Sequence, residues 1–201
     1  MTISIGIYVF DNMEVLDFAG PYEVFTTAAR VAKSSQGEST RVFEVFTISS
    51  DGQQVKARAG LKVIPDYSFA DQPLIDVLLV PGGVVSAELA RPEVIKWIQR
   101  TSAGTQLTAS VCTGSMLLGK AGLLDRRSAT THWEDTAELQ SMFTNVKVVT
   151  GVRWVDEDTI VTSAGISAGI DMSLHLVERL ANRELAELTA QQMEFDWTEN
   201  R

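Results

Sequence analysis

Ser110-Val111-Cys112-Thr113-Gly114 constrains the fold of this 201-residue chain more than any other stretch. An apolar run leads into it and a helix-forming run follows, so the backbone must turn sharply from strand to helix. Small residues two positions either side of the cysteine suit such an elbow, because the turn leaves no room there for larger side chains. The elbow sets Cys112 at a helix N-terminus, where unpaired N–H groups and the positive end of the helix dipole favour thiolate. Cys112 is therefore the first candidate nucleophile; the alternative is a buried core thiol.

The rest of the chain alternates strand and helix. Residues 3–10, 42–49, 77–80 and 106–111 read as strands, and the continuous apolar run 77–80 is of the kind buried on both faces of a parallel sheet. Helices are predicted from Gly20-Pro21 to about Val31 and over residues 92–101, 113–121, 133–143, 167–181 and 184–195. Polar residues 33–41 read as a mobile loop and 57–67 as an antiparallel excursion. Residues 146–150 read as a further strand, and 154–162 as a hairpin turning at Asp156-Glu157-Asp158. This order predicts one α/β domain over residues 1–201: a flavodoxin-like three-layer α/β/α sandwich around a mostly parallel sheet. Ligands of such sheets bind at the carboxyl edge of the strands.

Composition narrows the partners. With 45% apolar and 21% charged residues the chain is an ordinary soluble one, and its single cysteine excludes an intrachain disulfide. The apolar N-terminus lacks a basic flank and runs directly into Asp11-Asn12, so it reads as a strand, not a signal peptide. No apolar run reaches membrane-spanning length, and a cytoplasmic location is expected. A net charge of -9 opposes nucleic acid as a partner. A neutral or weakly polar small molecule is expected instead. Neither metal-ligand spacing nor a phosphate or dinucleotide loop is present, so neither metal nor cofactor is expected.

Three chemically loaded segments each follow a predicted strand and should converge at one sheet edge: Asp17, Pro81-Gly82-Gly83 and Cys112. Glycines let backbone amides approach a ligand, so Gly82 and Gly83 could join the Thr113 amide in an oxyanion hole, or simply form a turn. Asp17, in an apolar setting beside sulfur, would be pushed towards its protonated form and could act as general acid; the alternative is a helix-start residue before Gly20-Pro21. His132 could orient water or the thiolate, or pack structurally beside Trp133. His175, among Leu174, Leu176 and Val177, reads as structural or interfacial. Glu23 reads as a capping or supporting carboxylate in the first helical turn.

Taken together, several motifs resemble the ThiJ/PfpI superfamily across nearly the whole chain. They are Asp17-Phe18-Ala19-Gly20-Pro21, Leu78-Leu79-Val80-Pro81-Gly82-Gly83, Val111-Cys112-Thr113-Gly114-Ser115, Thr130-Thr131-His132-Trp133 and Ser163-Ala164-Gly165-Ile166-Ser167-Ala168-Gly169. The resemblance implies a class I glutamine amidotransferase-like fold and a homodimer, with Ile166 in the substrate pocket. Within the superfamily the Cys-Thr-Gly elbow, Asp17 and Thr-Thr-His-Trp most resemble isonitrile hydratases and the sensor domains of AraC-type activators. Amidase- and protease-like members carry histidine after the nucleophile where this chain has Thr113. The segment Met193 to Thr198 lacks the prolines of the hydratases, and the sequence to Arg201 includes no helix-turn-helix region. The implied activity is a cofactor-free hydro-lyase: Cys112 attacks the isonitrile carbon, Asp17 protonates it, and water converts the thioimidate to an N-substituted formamide. The alternatives are a non-catalytic cysteine sensor or stress-response protein, and a glyoxalase or deglycase acting on aldehydes.

Overall fold

Apolar strands buried on both faces need helices on both faces, and the chain supplies them in alternation. The computed structural model describes residues 2–37 and 42–200. In order, β1 (Ile3–Tyr8) leads to α1 (Val15–Gln36) and β2 (Phe43–Ser49). The short β3 (Val55–Lys56), β4 (Lys62–Val63) and β5 (Tyr67–Ser68) come next, before the fully buried β6 (Val77–Val80). Then come α2 (Ser86–Leu89), α3 (Pro92–Gly104), β7 (Leu107–Val111) and α4 (Gly114–Lys120). The small elements β8 (Ser128–Ala129), α5 (Thr136–Met142) and β9 (Lys147–Val148) precede the hairpin β10 (Trp154–Glu157) and β11 (Ile160–Ser163). The chain closes with α6 (Ala168–Leu180) and α7 (Arg183–Gln192).

Seven strands pair in the order β10-β11-β7-β6-β1-β2-β5, and only β10 and β11 are antiparallel. Helices α1, α6 and α7 pack together on one side, while α2, α3 and α4 form the other layer. The chain runs outward from β1 through β2 to β5 and then returns to β6 on the other side of β1. The order therefore reverses between β1 and β6, and a crevice opens there at the carboxyl ends of the strands.

Several boundaries differ from the sequence expectation. Helix α1 begins five residues before Gly20, at Val15, with Pro21 inside it. Phe18, Val24, Phe25, Ala28 and Ala32 continue one buried stripe through the proline, so packing outweighs the lost backbone hydrogen bond. Glu23 consequently lies two turns into the helix and accepts from Thr27 Oγ1 at 2.8 Å; it caps nothing. Of the predicted loop 33–41, residues 33–36 extend α1 and 38–41 lie outside the described residues. The expected strand 146–150 is reduced to β9, paired with β8 apart from the main sheet. The hairpin turns after Glu157, with Asp158 at φ +64.

Two polar networks fasten the layers. Tyr8, stacked on Phe10 and close to Phe69 and Trp97, donates its hydroxyl to the buried Glu88 carboxylate, and Arg91 pairs with Glu88 at 3.2 Å. The other network lies at the C-terminus. Fully buried Asp171 accepts from the Thr198 amide at 2.8 Å and from Arg153 Nε at 2.8 Å. Trp197 Nε1 donates to the Asp171 carbonyl at 3.2 Å, and Asn200 Oδ1 accepts the Arg153 amide at 2.9 Å. Among the described residues no helix is long and apolar enough to cross a membrane.

Candidate active site

Cys112 stands directly after β7 at φ +57, a left-handed conformation that non-glycine residues seldom adopt. Its amide is shared between the carbonyls of Ser163 (3.2 Å) and Ala164 (3.3 Å), and its carbonyl accepts from Thr131 Oγ1 (3.0 Å) and Ser115 Oγ (3.1 Å). Bonds from three segments, at Ser163-Ala164, Thr131 and Ser115, thus over-determine the elbow, which is how a strained backbone persists. The small flanking residue is required: a Cβ on Gly114 would stand 2.2 Å from the Val80 carbonyl oxygen. Gly82 is pressed as closely against the elbow, with its notional Cβ 2.6 Å from the Thr113 amide nitrogen.

Asp17, in the first turn of α1, is completely buried and faces the Cys112 thiol. Its Oδ2 accepts the Gly82 amide at 3.2 Å, and the Ile166 amide also points at the carboxyl group. Oδ1 has no well-formed hydrogen bond. Burial pushes Asp17 up to about 7, against the lowering effect of the Gly82 amide and the thiol. Burial and then the charge of Asp17 push the Cys112 thiol up to about 12, against the Thr113 amide and hydroxyl. The thiolate expected from the helix terminus is therefore not the resting form, because desolvation and a neighbouring anion outweigh the dipole of a seven-residue helix. Thiol and carboxyl titrate as a pair, and the single-anion state exchanges one proton between carboxylate–thiol and acid–thiolate forms.

The glycine amides do not form the expected oxyanion hole. Gly82 spends its N–H on Asp17, and Gly83, at φ +132, donates to Thr113 Oγ1 at 2.9 Å. Thr113 Oγ1 returns a bond to the Gly83 carbonyl at 2.9 Å, so this pair locks the strand end to the elbow. Gly83, Thr113, His132 and Ile166 nevertheless line, with Cys112, a cavity of about 220 Å³. Ile166 is held at φ +55, and His132 packs so closely on Gly165 that a Cβ there would stand 2.1 Å from His132 Cδ2. His175 stands apart, bonded to Asp156 at 2.7 Å and stacked on Trp154, in the structural role its neighbours suggested.

Four lining residues escaped the sequence reading: Glu14, Arg58, Glu134 and Asp135. Glu134 and Asp135 lie two and three residues after His132, so their proximity was visible. Nothing local marks Arg58, which reaches the cavity because the β3–β4 hairpin docks on the loop after β1. Asn12 N bonds Lys56 O at 2.8 Å, and Arg58 N bonds Met13 O at 2.9 Å. The cavity wall is consequently more polar than an apolar pocket. A larger depression of about 790 Å³ between α1 and α7 has neither cysteine nor histidine in its lining. No group of three or more His, Cys, Asp or Glu among the described residues is arranged to hold a metal.

Comparison with known proteins agrees with this geometry. Residues 3–179 match the DJ-1/PfpI family. The chain is 33% identical to the isonitrile hydratase of Pseudomonas putida, over 97% of this chain and 79% of that protein. It is 34% identical to the HTH-type transcriptional regulator GbdR of Pseudomonas aeruginosa over 91% of this chain, which spans about half (48%) of the regulator's length. Among solved structures, a ThiJ/PfpI family protein from Pseudomonas syringae superposes with a TM-score of 0.85 at 28% identity, over 98% of this chain and 76% of that one. Drosophila melanogaster DJ-1beta shares the fold, with a TM-score of 0.82 at 22% identity over 98% of this chain and 100% of that one.

Proposed function

The chain belongs to the DJ-1/PfpI family, and from that premise we propose that it hydrates a small isonitrile through Cys112 with Asp17 as the acid. The observation that carries this reading is the fully buried Asp17 carboxyl facing the thiol, pushed up to about 7. Near neutrality it can take the thiol proton, which makes nucleophile and acid together. Sulfur then forms a bond to the terminal isonitrile carbon while Asp17 returns the proton to that same carbon, giving a thioimidate. Water adds to the imidate carbon and the carbon–sulfur bond breaks. The sulfur recovers a proton and an N-substituted formamide leaves. One water is consumed and no redox change occurs.

His132 and Ile166 border the site, so His132 suits the orientation of the attacking water and Ile166 the shaping of the pocket. Likeness to the isonitrile hydratase over 97% of this chain supports the activity. Likeness to the regulator favours a second reading, a ligand-binding or redox-sensing thiol without turnover.

The deciding experiment offers purified protein a panel of alkyl and aryl isonitriles, with methylglyoxal in parallel, and follows the formamide. Cys112→Ala should abolish formation, and Asp17→Asn should lose roughly two to four orders of magnitude in turnover, the range for removal of a general acid. Absence of turnover together with ready, reversible oxidation of Cys112 would replace the hydratase with the sensor.

A further inference from the structure

The lining of the Cys112 cavity carries a charge imbalance that hydration itself does not require. Its one guanidinium, Arg58, is already paired with Glu14, Nη1 to Oε2 at 3.2 Å. The remaining charged groups are the two carboxylates beside His132: Asp135 Oδ2 lies 3.3 Å and Glu134 Oε2 3.8 Å from His132 Nδ1. A neutral imidazole leaves both carboxylates uncompensated, and a protonated one leaves one. Asp17 behind the sulfur adds a further negative charge whenever it ionises. Asp17 itself is fully buried behind the thiol and does not line the cavity, so its charge acts on a guest only through the sulfur.

We propose that this cavity selects substrates whose substituent is a cation, a small ammonium-bearing electrophile, and rejects those bearing a carboxylate. Charge selection stands on the lining alone; only the reacting group, an isonitrile carbon, rests on the hydratase reading. An ammonium group directed outward from the reacting carbon meets the partly buried Asp135 and the more exposed Glu134 in the cavity wall. A carboxylate in the same position meets like charge, and the guanidinium of Arg58 offers it a charge that Glu14 already offsets.

Because Cys112 is the chain's single cysteine, its modification reads the cavity directly. The full chain is treated with two methanethiosulfonates of similar size, one bearing a trimethylammonium group and one a sulfonate. Each second-order rate is divided by that for 2-mercaptoethanol. The corrected rates should favour the cation by at least about tenfold at low ionic strength, with the preference shrinking as salt is added. In Glu134→Gln/Asp135→Asn the preference should fall to within about threefold, while uncharged methyl methanethiosulfonate reacts as in the wild type, showing that the variant is folded and its thiol accessible. A ratio near one or inverted in the wild type overturns the proposal, as does a cation preference that survives in the double variant. A second arm compares 2-(dimethylamino)ethyl isocyanide with isocyanoacetate; the amine should show the lower KM. If neither turns over while the thiol ratio holds, the hydratase reading fails and the charge selection stands.

Discussion

Asp17 combines complete burial with a proton affinity raised from 3.8 to about 7, and this has a measurable cost. Between those values the folded protein keeps a proton that the unfolded chain releases, so stability is greatest below about pH 4 and declines as pH rises through about 7. A rise of that size corresponds to roughly 4 kcal/mol. Asp17→Asn removes that titration. Its melting temperature relative to wild type should therefore climb by several degrees between pH 5 and pH 8, as scanning calorimetry would show; a pH-independent difference would mean that Asp17 does not titrate there. At this scale the sequence was informative about position and about the direction in which Asp17 is pushed, and misleading about the thiol. Asp17 and Cys112 could be brought together because each follows a strand of one parallel sheet. The direction of the thiol's shift could not be read, because it depends on how deeply the finished fold buries the sulfur.

Elements reached the sheet edge as their strands suggested, but what docks on that edge was less legible. The strands and the elbow announce themselves through apolar runs that end in small residues. Helix α1 was started too late because Pro21 reads locally as a helix opener, while the packing that carries the helix through it is a property of the assembled layer. Arg58 was invisible for the same reason, since it arrives on a hairpin whose docking is tertiary. Gly165 shows how tightly such elements fit: a methyl group there would meet the His132 ring at 2.1 Å. Gly165→Ala should cost about 1–3 kcal/mol of stability, the range for overpacking, and should slow turnover by displacing His132. Urea denaturation together with formamide assays would check both, and an unchanged midpoint would show that the ring moves aside freely.

At the scale of the molecule, the segment after α7 reaches the site through one chain of contacts. Thr198 and Arg153 converge on buried Asp171; Arg153 Nη2 in turn donates to Ser167 Oγ at 3.2 Å, and Ser167 adjoins Ile166 in the cavity wall. Asp171→Asn leaves the partly exposed Arg153 without its charge partner and should destabilise by about 1–3 kcal/mol, the range for a lost hydrogen bond to a charged group. It should also alter the pH dependence of Cys112 alkylation, because the loop that presents the Ile166 amide to Asp17 loses its brace. A fall in melting temperature with an unchanged alkylation profile would make the segment a stabiliser only. The sequence reading registered this segment by its missing prolines, whereas its role depends on an aspartate buried more than twenty residues upstream.

Cys112 sits at φ +57, where glycine would rest without penalty. Two demands therefore pull apart at one codon: glycine would make the backbone comfortable, and only cysteine supplies the thiol that the proposed reaction needs. A lineage selected only to stay folded would tend to lose the thiol, so the strain at this codon is what the proposed chemistry would have to repay.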